Sequence, residues 1–63
     1  MKVGDVVCFK SDYEQSGRIV KITQSIMGSK VLVLEALSDE GFGGDYIGGQ
    51  ERTQELASDC WLD

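Results

Sequence analysis

At 63 residues the chain forms one domain, 1–63, with room for only a modest core. It contains no His, which excludes a Ser-His-Asp or Cys-His arrangement within a single copy, and its net charge of −5 opposes phosphate binding as a default. No apolar run approaches membrane-spanning length and no apolar leader follows Met1, so the expectation is a cytoplasmic protein without a membrane partner.

The first element in chain order is "VGDVVCFK" (3–10), a strand rich in Val and Phe, with Gly4-Asp5 supplying a turn or bulge before it. "SDYEQSG" (11–17) is polar, ends in Gly and reads as a loop. "GRIVKITQ" (17–24) is a second strand, and "SIMGS" (25–29) a short turn around Gly28. "KVLVLEA" (30–36) is a third strand. "LSDEGFGGDYIGGQ" (37–50) is glycine-rich and reads as a long loop, with a short strand at Tyr46-Ile47. A helix over Glu51 to Asp59 competes with a strand over 50–56. Only Leu56, Ala57 and Cys60 could form the helix's apolar stripe, so a fourth strand at 50–56 is preferred. "LASDCWLD" (56–63) then gives one tight turn and a short closing strand.

These stretches together, "VGDVVCFK", "GRIVKI", "KVLVLEA" and "ELASDCWL", resemble the SH3-like barrels, including the KOW and Tudor-like modules. The resemblance implies an all-β fold: a single small SH3-like barrel of about five antiparallel strands, with one short helical turn before the last strand. It also implies that the first and last strands pair, and that the glycine at position 17 ends the first long loop. A family of folds does not fix a function.

Chemistry is sparse. Two Cys without His cannot supply an ordinary tetrahedral zinc site. Asp39, Glu40 and Asp45 share one glycine-rich loop, but their spacing does not match an EF-hand and its closing bidentate Glu is missing. "GFGGDYIGG" lacks the Lys of a phosphate loop. The sequence therefore implies no metal and no cofactor, and it reads as a non-enzyme. An oligomeric enzyme with a shared site is the remaining catalytic option. Cys8 and Cys60 fall on strands expected to pair, and read either as two small buried hydrophobes or as a disulfide in an oxidising setting.

Two features point to a partner. Strand residues alternate between faces, yet Val6-Val7-Cys8-Phe9, Ile19-Val20 and Val31-Leu32-Val33-Leu34 are apolar on both. With Val7, Phe9, Val20 and Ile22 inward, Val6, Cys8 and Ile19 face outward, to be covered by the long loop or by a second subunit in a homo-oligomer. Which pair of 31–34 faces inward stays open. The second feature is charge. Residues 1–34 hold five basic and three acidic residues, whereas 35–63 hold eight acidic residues against Arg52 alone.

Trp61 is assigned to the core. Tyr13, Phe42 and Tyr46 lie on loops among carboxylates, where an aromatic groove would favour a cationic partner. The partner-binding set is therefore Tyr13, Asp39, Glu40, Phe42, Asp45 and Tyr46. The reading is a non-catalytic module that docks an acidic, aromatic surface onto a basic protein surface. One version is a phage or mobile-element inhibitor that mimics nucleic acid. The alternatives are a KOW-like barrel that binds nucleic acid through Lys2, Lys10, Arg18, Lys21 and Lys30, and a structural subunit of a larger complex.

Overall fold

Among the described residues there are five strands, the first three rich in β-branched residues: β1 (Val6–Lys10), β2 (Glu14–Gln24), β3 (Lys30–Ala36), β4 (Arg52–Leu56) and β5 (Cys60–Leu62). A computed structural model describes residues 1–10, 14–38, 41–42 and 51–63. The strands make one antiparallel sheet in the order β4-β3-β2-β1-β5. A 3-10 turn, Ala57–Asp59, precedes β5. β4 and β5 are the two edges of the sheet, yet only those three residues separate them. The edges are drawn together, and the sheet curls around its inner face as a small all-β barrel.

The opening Gly-Asp pair forms a tight turn. Asp5 N–H donates to the Lys2 carbonyl at 3.0 Å, and Lys2 N–H donates to Asp5 Oδ2 at 3.0 Å. Gly4 sits at φ +98°, a conformation that residues with a Cβ rarely adopt. The turn also joins the sheet, because Gly4 N–H donates to the Ile19 carbonyl and Ile19 N–H to that of Asp5. First and last strands pair as the resemblance implied, with Val7 opposite Leu62, Cys8 opposite Trp61 and Phe9 opposite Cys60.

Two sequence expectations are corrected in β2. Residues 14–17 belong to the strand rather than to a loop, since β1 needs ladder partners along its whole length and Lys10 pairs with Glu14. Pairing overrides the polar composition here. Gly17 is therefore mid-strand, and it has a different task. A Cβ built there would lie 3.0 Å from two atoms of the Phe42 ring and 3.1 Å from the Glu35 carbonyl oxygen. The absent side chain lets the ring lie against the backbone. Gly17→Ala is expected to cost about 1–3 kcal/mol by overpacking, measured by urea unfolding. In the Gly17→Ala/Phe42→Leu double variant the two costs should sum to less than their separate values.

The second correction concerns the faces. Ile19 is fully buried and Val20 only partly so, the reverse of a simple alternation. The register shifts between Ile19 and Lys21, so that Ile19 opposes Leu34, Lys21 opposes Val33 and Ile22 opposes Leu32. Val20 is the extra residue of a β-bulge, which resets the alternation and puts Ile19 and Ile22 on the same face. Cys8 is also buried, although it faces outward, because β2 and β5 flank it. The core is Val7, Phe9, Ile19, Leu32, Leu34, Phe42 and Cys60, with Ile22, Ala36 and Ala57 packed against it. Leu32 and Leu34 thus face inward, and Val31 and Val33 face outward.

Candidate functional site

Of the six residues assigned to partner binding, Tyr13, Asp39, Glu40, Asp45 and Tyr46 lie outside the described residues, as does the expected strand at Tyr46-Ile47. Phe42 is described, and it is corrected. Its side chain is 3% exposed, and its ring meets Phe9 edge-on at 5.4 Å between centroids and 69° between planes. A ring enclosed in this way offers no surface to a partner.

Trp61 is corrected in the opposite direction: it is 44% exposed. The cause is strand alternation. Cys60 opposes the inward Phe9 and takes the core position, so Trp61 opposes the outward Cys8. The signal lay in the sequence, in the spacing of Cys60 and Trp61 against Val7 and Phe9. Asp63 approaches the same Cys8 that Trp61 opposes. The Cys8 thiol donates to Asp63 Oδ1 at 3.5 Å and lies 3.4 Å from Ser16 Oγ, while Asp63 N–H donates to the Val6 carbonyl. An exposed indole and a carboxylate that share one neighbour, Cys8, suit a cationic group. In sequence, 51–63 carries Glu51, Glu55, Asp59 and Asp63 against Arg52.

The basic residues do not form one uninterrupted field. On the outer face Lys10 opposes Glu14, and Glu35 sits between Arg18 and Arg52 as the register partner of both. Opposite charges placed across strands offset one another. Lys21 and Lys30 differ, since their register partners on the paired strand are Val33 and Gln24.

The inner rim holds a second group of charges. Glu55 opposes the buried Leu32. Burial pushes its carboxyl above the ordinary glutamate range, and the charge of Asp59 pushes it the same way. The folded state therefore binds this proton more tightly than the unfolded chain does. Its contribution falls as pH rises from the ordinary glutamate value through the raised one, and is least favourable above it. Glu55→Gln should remove that component. The variant's gain in urea midpoint over wild type should be larger at neutral pH than at pH near the ordinary glutamate value.

Cys60 donates from Sγ to the Leu56 carbonyl at 3.4 Å. Burial, then Glu55 and Asp59, raise its thiol pKa, so the thiol stays protonated at neutral pH. Both cysteines are free. They occupy successive rungs of the β1–β5 ladder on opposite faces, which keeps the sulfurs apart.

Gln15 is a buried amide whose side-chain oxygen and nitrogen have no hydrogen-bond partner among the described residues. Beside it an open cleft of about 300 Å³ is bordered by Glu14, Ser16, Leu37 and Phe42. Among the described residues no group of His, Cys, Asp and Glu is placed to hold a metal ion, and no helix is long and apolar enough to cross a membrane. Compared with protein-family models, with curated proteins and with solved structures, the chain matches none.

Proposed function

We propose that this chain is a non-catalytic binding module whose acidic, aromatic surface docks onto a basic surface of another protein. The observation that carries this is Trp61, held 44% exposed on the outer face of β5 opposite Cys8, whose thiol meets the Asp63 carboxylate. A large exposed indole fixed on a paired strand is a rigid anchor of the kind that dominates protein interfaces. Neighbouring carboxylates speed encounter with a cationic partner and select against anionic ones. Strand order and the 3-10 turn before β5 support placing the chain among the SH3-like barrels, which present such surfaces on many unrelated modules.

The nucleic-acid alternative has less support, because Glu14 and Glu35 interrupt its basic residues. The test is capture from cell lysate on immobilised wild type and on Trp61→Ala, at low and high salt, followed by titration of the purified partner. The expected partner is a basic protein, bound at least about tenfold more weakly by Trp61→Ala and more weakly in high salt. A partner held equally by both forms overturns the proposal. So does labelled DNA or RNA binding with a steep salt dependence.

A further inference from the structure

β2 runs past the end of β3, and the overhang borders a cleft. Ile19 N–H donates to the Asp5 carbonyl and the Ile19 carbonyl accepts from Gly4 N–H, so the main chain of Ile19 points toward the β1 side. Main-chain groups alternate between the two edges of a strand, and the register with β1 is unbroken from Arg18 to Glu14. Gly17 and Gln15 therefore also point toward β1, while Arg18, Ser16 and Glu14 point the other way. Arg18 finds Glu35 of β3 on that side. The last rung of β3 is Ala36 opposite Gly17, so β3 has ended where Ser16 and Glu14 point. Among the described residues, no main-chain hydrogen bond outside the strands reaches either of them. The cleft of about 300 Å³ lies here, between the overhang and Leu37, Ser38 and Phe42.

Gln15 borders the same cleft. It is only 8% exposed, and neither its amide oxygen nor its amide nitrogen has a hydrogen-bond partner among the described residues. A Gln amide carries two N–H donors and an oxygen with two lone pairs. Burying all of them unused is destabilising, whereas an apolar side chain of similar length would carry no such penalty. An open strand edge and an orphan amide ask for the same thing, a ligand with donors and acceptors side by side. Extended polypeptide supplies it, because the N–H and C=O of one residue point to the same edge. Among the described residues bordering the cleft, Glu14 alone is charged, which disfavours a phosphate or another anion. We infer that the cleft takes an extended peptide segment of another protein, which adds a short strand beside Glu14–Ser16. The N–H and C=O of Ser16 pair with one residue of that segment, and the flexible Gln15 side chain turns its amide to the segment's polar groups. Recognition through the main chain tolerates varied side chains. The slot is separate from the Trp61 surface. Trp61 opposes Cys8 and Cys8 opposes Ser16, so two strand spacings, about 10 Å, lie between them.

The probe is a phage-displayed library of linear dodecapeptides, selected on the full chain. Selected peptides are synthesised and titrated by fluorescence anisotropy. Methylating their main-chain nitrogens one at a time should weaken binding about tenfold or more at alternate positions only, those that face β2. The Ser16 amide should gain protection from hydrogen exchange when peptide is bound. Gln15→Met keeps the length of the side chain and removes the amide. It should raise the urea midpoint of the free chain, because no orphan polar group remains, and weaken the peptide about tenfold. A lowered midpoint would show that the Gln15 amide is bonded within the chain, and overturns the inference. A library that yields no binder overturns it too, as do peptides that tolerate methylation at every position. Trp61→Ala should bind the selected peptides as wild type does. Peptides lost on that variant belong to the Trp61 surface, which overturns the slot and leaves the proposed function standing.

Discussion

Phe42→Ala is expected to cost about 3–5 kcal/mol, the range for removing a buried aromatic ring. A chain of this size has about 3–9 kcal/mol of stability in total, so this variant should lose most or all of its cooperative unfolding transition. The ring fills the inner face against Phe9 and over Gly17. Its removal opens a cavity beneath a strand that has no Cβ there to fill it. Phe42→Leu should recover part of the loss, because it restores volume but not the edge-on aromatic contact. Circular dichroism in urea is the measurement. A Phe42→Ala variant with the wild-type midpoint and weakened partner binding would return the ring to the surface, as the sequence suggested.

Much of the architecture could be read from local chemistry. Gly4-Asp5, the turn around Gly28 and the tight turn after Leu56 each needs a particular backbone shape, and residues near them supply it. The third strand was found at its observed bounds, Lys30–Ala36, because β-branched and aliphatic residues run unbroken between two turn signals. Two kinds of information were not local. Residues 14–17 look like a loop by composition and become a strand because β1 lies beside them. Phe42 and Trp61 exchanged places for a similar reason. Loop residues read as exposed, yet Phe42 reaches a hole left by Gly17. Trp looks like core, yet its position is decided by Cys60, one residue before it. Burial of an aromatic residue depends on which partner it faces, and that partner lies far away in sequence. The dock proposed at Trp61 was therefore not visible from composition alone, although the acidity of the segment that carries it was.

The bulge at Val20 allows the sharpest test of side-chain direction. Plain alternation from Ile22 would place Val20 inside and Ile19 outside. The register shift reverses this, leaving Ile19 fully buried against Leu34 while Val20 is half-buried. Ile19→Ala should therefore cost about 2–5 kcal/mol, as for a large aliphatic side chain removed from a core. Val20→Ala loses fewer methyl groups from a site already in partial contact with water, and should cost less than about 1.5 kcal/mol. Urea midpoints of the two variants decide the matter, since both changes leave charge and the ladder's hydrogen bonds intact. The difference also has a structural meaning. A bulge bends its strand and strengthens the local twist, and here it falls midway along the longest strand. There it turns β2 from the half that pairs with β1 to the half that carries the Ile26–Met27 tip. If Val20→Ala proved the costlier change, the strand would run without a bulge, the inner face would be composed differently, and the tip would project along another direction.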